Sequence, residues 1–427
     1  MSQPRQTATA PYRDTQPVQW TAWLALLSAG LAWLFDAMDF QIFTLILFPS
    51  VSALIGSADP GRVAATGGAV IACKMLGWGV GGVAFGVLAD RIGRARTMMT
   101  TVLIYAAFTG LSGLARSVGQ LSVMQALAGL GMGGEWAAGT ALVAETWPER
   151  SRARAMQVMQ MCFALGFFAA AAVNVAVGPY GWRFVFLAGV LPGPVVLLLR
   201  LFVPEPPRWL AVRNTWGSTG ALTTLRALFA IDMRGRTFVG VLIALTMMIG
   251  SNSLSPLIPV WIHQLLPPER QGSAGRVISQ FIMLVSLGGM AGYLGLMLPN
   301  ARLGRRWAYT LIVASTATVV LLLFSVFPSI GGLLIFAPIY GFFTIGGFGF
   351  FAMYFPELFP TRLRATGQGF CWNMARTLAA AGPLVAGTLV RALGSVPAAG
   401  RLIAAVYLIG LIAIWFGPET KGQALQD

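Results

Sequence analysis

The sequence predicts an all-α membrane protein of twelve transmembrane helices arranged in two six-helix halves, on three observations. The mean hydropathy is +0.73 and only 10% of the 427 residues are charged, against about 25% in an average soluble domain. Apolar stretches of about 20 residues, the length that crosses about 30 Å of hydrocarbon, repeat from Trp20 to Phe416. Basic residues gather in every second loop between these stretches.

Clusters of Arg, Pro and Gly divide the apolar stretches into individual helices. A long loop separates the two bundles, and its residues 221–231 have the pattern of a short amphipathic helix. The predicted organisation is an N-terminal tail (1–19), a bundle (20–203), a central loop (204–236), a second bundle (237–417) and a C-terminal tail (418–427). The predicted spans are 20–48, 63–88, 97–116, 118–146, 153–177, 182–203, 237–261, 274–299, 307–327, 330–355, 366–391 and 399–417.

The positions of the arginines predict how the chain lies in the membrane. The formal net charge is +15, and arginines follow the second, fourth, sixth, eighth and tenth predicted spans. Because Lys and Arg accumulate in cytoplasmic loops, we expect these loops and both termini to be cytoplasmic. The basic composition is then a consequence of topology, and no nucleic-acid partner is expected.

Related segments occur in the two halves. Residues 145–153 (ETWPERSRA) and 357–365 (ELFPTRLRA) share Glu, Pro, two Arg and Ala at an offset of 212. Residues 91–94 (RIGR) match 302–305 (RLGR), and the Pro-Glu pair at 204–205 matches that at 418–419. Three matches in order at nearly one offset are typical of a transporter built from two repeats around a site near the middle of the membrane.

Several motifs resemble those of one transporter family. Residues 86–96 (GVLADRIGRAR) resemble the loop signature of the major facilitator superfamily between its second and third helices. Residues 36–39 (DAMD), 129–136 (GLGMGGEW), 359–362 (FPTR) and 373–376 (NMAR) are similar to its proton symporters for sialate, aromatic acids and other carboxylates. The resemblance covers essentially the whole chain, and it implies the major facilitator fold in the cell inner membrane. Two positions depart from it: Asn300-Ala301 replaces the second signature Asp, and Gln125 stands where many relatives carry Arg.

The same resemblance implies a gate on the cytoplasmic side. In similar transporters the carboxylate equivalent to Asp90 caps the N-terminal end of the eleventh helix and pairs with nearby Arg when this side is closed. The residues that match this gate are Gly86, Asp90, Arg91, Gly93, Arg94, Glu145, Arg152, Glu357 and Arg364.

Two glycine-rich segments fit the G-x-G-x-x-G pattern of nucleotide sites, but they lie inside apolar spans. We therefore interpret residues 77–82 (GWGVGG) and 129–134 (GLGMGG) as positions where helices pack closely. The chain contains no Gly-Lys dipeptide, so a phosphate-binding loop is absent and ATP is not expected to drive the protein directly. One His and three Cys offer no metal-ligand spacing. The predicted cofactor set is empty apart from a co-transported proton.

Five ionisable residues within the spans are candidates for a functional role, because a charge inside the membrane costs about 2.5–3.5 kcal/mol to insert. Asp36 and Asp39 share one face of the first helix, and depth counting places Lys74 of the second helix near Asp36. These residues form either a neutralising structural pair or a functional site. Glu135 and Arg376 belong to opposite halves at another common depth, where they either bind an anion or latch the halves together.

Polar and aromatic side chains complete the predicted site. Asn373 lies one turn before Arg376 on the same face, and a hydrogen bond between helices is as consistent with Asn373 or Gln160 as a ligand contact. Trp136 and Tyr340 are candidate cavity walls, although packing is the commoner role of an aromatic residue. Substrate binding is assigned to Arg376, Asn373, Lys74, Gln160, Trp136 and Tyr340, and proton coupling to Asp36, Asp39 and Glu135.

These features favour proton-coupled uptake of a small organic anion such as a carboxylate. Lys74 and Arg376 supply fixed cations, while a buried carboxylate can gain and lose a proton. The alternative is a proton antiporter that exports amphipathic compounds, which has less need of buried cations. A non-transporting membrane sensor is less favoured because the sequence shows no appended soluble domain. An enzyme is not predicted, and the expected partners are the anion, protons and the lipid bilayer, with a monomer as the functional unit.

Overall fold

The computed structural model describes residues 18–57, 60–200, 202–206, 209–210, 221–254, 257–267, 269–270, 274–423 and 425. Residues 1–17 of the predicted N-terminal tail lie outside this set. The described residues fold into helices that group as twelve spans, and seven helical segments are long and apolar enough to cross a membrane by length and composition. The remaining spans are shorter or less apolar.

The first six spans follow one another with short connections. They are Trp20–Ile55, Pro60–Ile92, Arg94–Ser112, Val118–Thr146, Glu149–Val177 and the pair Trp182–Ala188 and Pro192–Arg200. In the central loop a helix is described over Ala221–Ala227, shorter than the predicted 221–231.

Spans seven to twelve are more often divided. Their helices are Arg234–Leu254 and Leu257–Leu265, Ala274–Gly295 and Met297–Arg302, Arg305–Val326, Ile330–Thr344 and Gly349–Leu358, Arg364–Ala379 and Gly382–Leu393, and finally Val396–Ala404 and Tyr407–Ala413.

Breaks in the tenth and eleventh spans correct the prediction of continuous helices there. In the tenth span a 3₁₀ turn, Gly346–Phe348, separates two helices, because consecutive glycines weaken helical geometry. In the eleventh span the second helix starts at Gly382 with a proline in its first turn, and proline starts a helix more easily than it continues one. Helix ends inside the membrane are common where transporters bind their cargo.

Close packing of the second and fourth helices depends on glycine. A Cβ atom on Gly81 would clash with the backbone of Leu130, and one on Gly133 would clash with the backbone of Trp78. These contacts confirm that the two glycine-rich segments are helix-packing motifs.

The internal repeat of the sequence is also a repeat of structure. In each half a glycine with positive φ precedes a helix, Gly93 (115°) before the third and Gly304 (86°) before the ninth. The carboxylate of Glu205 accepts a hydrogen bond from the first N–H of the third helix at 2.7 Å, and that of Glu419 accepts one from the ninth at 2.8 Å. Both carboxylates thus satisfy the positive end of a helix dipole. We call the end of the bundle that carries residues 91–96, 150–154, 302–306 and 362–364 the arginine-rich face.

Candidate transport site and gate

Asp36 is a buried carboxylate that the protein leaves without hydrogen bonds. Its exposed fraction is 0%, and neither carboxylate oxygen has a hydrogen-bond partner. Charged groups surround it within electrostatic range, namely Glu135, Asp39, Arg376 and Lys74. Buried polar atoms nearly always find a partner, and burial of an isolated charge is costly. Asp36 therefore depends on these neighbouring charges, and not on hydrogen bonds, for any compensation of its own charge.

Asp39, in contrast, is fully compensated. Its carboxylate forms an ion pair with Lys74 at 2.9 Å and accepts a hydrogen bond from the hydroxyl of Thr109 at 2.6 Å. The lysine also donates to the backbone oxygen of Asp39 at 3.3 Å. Depth counting places Lys74 beside Asp36, and the structure corrects this, because the lysine reaches the next turn of the first helix. Since both partners of the ion pair are buried, Lys74 is engaged within the first bundle and is not positioned as a separate anion anchor.

Glu135 of the fourth helix lies beside the same charges. It is 1% exposed, and its Oε2 accepts a hydrogen bond from the hydroxyl of Thr101 at 2.6 Å. The electrostatic interaction between Glu135 and Asp36 means that two carboxylates share one region. Because like charges repel each other in a buried region, the two carboxylates belong to one electrostatic cluster with Arg376 and Lys74.

Arg376 lies over the indole ring of Trp78, with its guanidinium carbon 3.7 Å from the ring centroid. Its Nη1 has no hydrogen-bond partner, and the side chain is half-buried. The residue belongs to the last turn of Arg364–Ala379, at the break in the eleventh span, where the negative end of the helix dipole favours a cation. Stacking orients the guanidinium plane and leaves N–H groups available to an anion.

Trp78 is a functional candidate that the sequence reasoning missed. It follows Lys74 by four residues, so the two lie on one face of the second helix. The position of Trp78 one turn from an ionisable residue was the signal that the sequence offered. Its partner, Arg376, belongs to the other half of the molecule, and the sequence does not show that contact.

Asn373 and Gln160 both form contacts between helices. The Nδ2 of Asn373 donates to the backbone oxygen of Gly369 at 2.9 Å and contacts that of Gly133 at 3.5 Å, and its side chain packs against Gly82. The Oε1 of Gln160 accepts a hydrogen bond from the indole N–H of Trp136 at 3.0 Å. Both residues thus make interhelical contacts, and their assignment to substrate binding stays a prediction.

An aromatic layer lies one turn from Arg376 towards the arginine-rich face. Trp136 of the first half stacks on Trp372 of the second half, with centroids 4.3 Å apart and an interplanar angle of 16°. Phe351 meets Trp372 at 5.6 Å. Tyr340 instead packs near Phe281 within the second half, at 6.2 Å. The stacked tryptophans therefore join the two halves at a level between Arg376 and the arginine-rich face.

Asp90 joins the two halves at the arginine-rich face. Its carboxylate accepts hydrogen bonds from the backbone N–H of Ala365 at 3.2 Å and of Thr366 at 2.7 Å. Arg94 pairs with the same carboxylate at 3.0 Å. Gly86 lies one turn earlier, where a Cβ atom would come within 2.9 Å of the Ala365 oxygen. This is the capping geometry that the resemblance implies for the eleventh helix.

Glu145 is a second link between the halves. Its Oε1 pairs with Arg94 at 3.1 Å and with Arg364 at 2.7 Å, and all three side chains are buried. The equivalent carboxylate of the second half, Glu357, pairs with Arg305 at 2.7 Å. Among the remaining predicted gate residues, Arg152 lies 3.7 Å from Glu149, and the side chain of Arg91 is exposed. The arginine-rich face is closed in this structure.

Two further hydrogen bonds cross between the halves. The hydroxyl of Thr140 donates to Gln368 at 2.7 Å, and the amide of Gln157 donates to the backbone oxygen of Gly349 at 2.9 Å. Gly349 follows the 3₁₀ turn of the tenth span, where a break frees backbone groups from helical hydrogen bonds. A polar residue in a span is visible in the sequence, whereas its partner in the other half is not.

The fold and this charged centre define a membrane transporter, and comparison with known proteins gives its family. The family model described as Major Facilitator Superfamily matches residues 26–381. The chain belongs to the major facilitator superfamily, and it is a transporter, not an enzyme.

Relatives and solved structures agree with this assignment. The chain is 29% identical to the sialic acid transporter NanX of Escherichia coli, with 89% of each chain covered. It is 27% identical to the cis,cis-muconate transport protein of Acinetobacter baylyi, covering 95% of this chain and 96% of that protein. The structure resembles the proton:xylose symporter XylE with a TM-score of 0.79 at 18% identity, over 95% and 97% of the two chains. At that identity the likeness shows the fold alone.

Proposed function

We propose that the protein takes up a small organic anion, in particular a carboxylate, together with a proton by alternating access. The observation that supports this most strongly is that Asp36, buried without a hydrogen bond, lies within electrostatic range of the half-buried Arg376, whose Nη1 also has no hydrogen-bond partner. The cargoes named for the two relatives, sialic acid and cis,cis-muconate, are organic acids, which is consistent with a cation in the site.

In this proposal Arg376 binds the carboxylate and Asp36 carries the proton. A guanidinium binds a carboxylate through two parallel hydrogen bonds. Once an anion neutralises Arg376, the positive charge that favours ionised Asp36 is offset, and protonation of Asp36 becomes more favourable. Release of the anion reverses the effect. Binding of the anion then promotes binding of the proton, and the reverse, as coupling between two ligands requires.

Movement of one anion with one proton transfers no net charge. Uptake of this kind is driven by the pH gradient, whereas each additional proton would add about 2.3 kcal/mol per 100 mV of membrane potential. The Lys74–Asp39 pair leaves this balance unchanged if it stays intact through the cycle.

We propose further that the arginine-rich face is cytoplasmic and that the cargo leaves through it. Opening this face requires the Asp90 cap, the Glu145 bridge and the Trp136–Trp372 stack to separate. These contacts join the two halves, so they act together as one two-state element.

Uptake into proteoliposomes tests the function. Purified protein is reconstituted with an acidic outside, and a panel of radiolabelled cyclic and unsaturated carboxylates is supplied. We expect accumulation above the equilibrium level that collapses on addition of a protonophore. Accumulation only with the opposite gradient would indicate antiport, and movement insensitive to either gradient would contradict proton coupling.

A further inference from the structure

An apolar groove runs between the seventh and twelfth spans on the outside of the bundle. Its volume is about 490 Å³, and it is formed mainly by Phe238, Val239 and Leu242 on one side and Ile409, Ile412 and Phe416 on the other. The volume is in the range of small-molecule pockets, about 300–1,000 Å³. The groove lies outside the transport site described above.

The groove begins at the arginine-rich face and runs into the membrane. Its first residue, Gly235, is the second residue of the helix Arg234–Leu254, and Phe416 ends the twelfth span at the same face. From Gly235 to Leu242 the helix rises about 10 Å. A groove of this direction and length can hold part of a lipid acyl chain that enters from the membrane–water interface.

A cation stands at the mouth of the groove. Arg234 precedes Phe238 by four residues, so the two share one face of the helix. Arg234 is exposed, and within the described ranges its side chain forms no hydrogen bond or ion pair, whereas its backbone N–H donates to Ala230 at 2.8 Å. Its neighbour Arg236 donates to the backbone oxygen of Leu358 at 3.0 Å, and Arg306 donates to that of Gly417 at 2.8 Å. Asp232 is also exposed nearby.

We propose that this groove binds an anionic phospholipid, with one acyl chain between the seventh and twelfth spans and the phosphate at Arg234. A membrane-facing slot requires an apolar occupant, and an arginine at its interfacial end favours an anionic headgroup over a neutral one. A juxtamembrane Arg contributes about 1 kcal/mol towards binding of an anionic lipid surface, which corresponds to about fivefold in affinity.

Native mass spectrometry of the purified protein tests the proposal. The protein is offered equal amounts of phosphatidylglycerol and phosphatidylcholine with identical acyl chains. We expect the wild type to retain phosphatidylglycerol about fivefold over phosphatidylcholine, and Arg234→Gln to lose that preference. Leu242→Trp, which fills the groove, should lower retention of both lipids, and Ile409→Trp provides a second filling variant if the first fails to fold.

Arg362→Gln is the matched control, because Arg362 is exposed on the same face and should not affect the preference. Equal retention of both lipids by the wild type, or an unchanged preference in Arg234→Gln, would overturn the proposal. Displacement of phosphatidylglycerol by inorganic phosphate would also overturn it, since it would indicate a simple anion site without a chain in the groove. Uptake activity is a separate readout, so failure here leaves the transport proposal unaffected.

Discussion

At the scale of single residues, the first helix carries two carboxylates with opposite environments. Asp39 is neutralised by Lys74 and by the Thr109 hydroxyl, whereas Asp36 has no hydrogen bond and only long-range partners. Separation of Asp39 from Lys74 would leave an uncompensated buried charge, which is strongly unfavourable. Asp36 has no such partner to lose, so we propose Asp36 before Asp39 as the proton-coupling residue.

Asp36→Asn should abolish accumulation of substrate against its gradient while exchange of labelled for unlabelled substrate continues. The amide cannot carry a proton, but Arg376 keeps its charge. Both activities are measured in the same proteoliposomes. Glu149→Gln is the control, because Glu149 forms only a surface pair. Uphill accumulation by Asp36→Asn would contradict the assignment and move it to Glu135.

Arg376→Lys should weaken carboxylate binding by about tenfold or more. The charge remains, but lysine lacks the planar guanidinium that binds a carboxylate through two parallel hydrogen bonds. The loss of one charge-assisted hydrogen bond lowers the binding free energy by about 1.5–3 kcal/mol. Affinity is measured by calorimetry, with thermal unfolding as the stability readout and Arg362→Lys as the control. Wild-type affinity in this variant would assign Arg376 to holding the halves together.

Removal of one partner of the Lys74–Asp39 pair should be more damaging than removal of both. Breaking a buried ion pair costs about 3–5 kcal/mol because one charge is left uncompensated. Lys74→Met and Asp39→Asn should therefore each lower the melting temperature strongly, and the double variant should recover part of the loss. Additive losses would show that the pair is not coupled.

At the scale of helices, the two repeats use the same device to start their third helix. A glycine with positive φ turns the chain, and a glutamate from the end of the sixth span, or of its repeat, accepts hydrogen bonds from the exposed N–H groups. A carboxylate suits this position because the dipole of the helix is positive there. Each glutamate therefore ties the end of one half to the start of its own third helix.

The cap at Glu419 should make stability depend on pH. Partial burial raises the pKa of this carboxyl, but hydrogen bonds from the backbone N–H groups of Arg305, Lys421 and Arg306 outweigh it and hold the pKa below its ordinary value. A lowered pKa in the folded state means that the stabilisation is complete at neutral pH and is lost as pH falls below about 4.

Glu419→Gln should accordingly melt at a lower temperature than the wild type at pH 7, and the difference should shrink on acidification. Differential scanning fluorimetry from pH 7 to pH 2.5 measures this, with Glu149→Gln as the control. A difference that stays constant across this range would contradict the role of the charge.

At the scale of the whole molecule, two pseudo-symmetric halves meet through contacts that are not symmetric. Asp90 caps a helix of the other half, whereas the second half has Asn300-Ala301 at the equivalent loop. Glu145 likewise pairs with arginines of both halves. The first half thus supplies the carboxylates of two links described across the arginine-rich face, the Asp90 helix cap and the Glu145–Arg364 ion pair.

Asp90→Asn should shift the protein towards the state that is open at the arginine-rich face. The amide keeps the shape of the side chain but loses the charge that interacts with Arg94 and with the helix dipole. Cysteines placed on each face and labelled with a membrane-impermeant reagent measure accessibility, and Glu269→Gln, at an exposed carboxylate outside the gate, is the control. Labelling that is unchanged on both faces would count against this gate.

Much of the fold follows from the sequence because the causes are local. Hydropathy over about 20 residues decides which segments enter the membrane, and glycine spacing indicates which helix faces pack closely. The 145–153 and 357–365 segments revealed the duplication. None of these inferences requires knowledge of which helix lies beside which.

Tertiary structure alone decided the partners of the charged groups. Depth counting along separate helices is uncertain by several ångströms, and Asp36 and Asp39 differ in depth by only about 4.5 Å, so it could not decide which of them pairs with Lys74. The stacking of Arg376 on Trp78, and of Trp136 on Trp372, joins halves that are distant in sequence. Charge compensation in a membrane depends on distances of a few ångströms, and only packing of the two halves fixes distances on that scale.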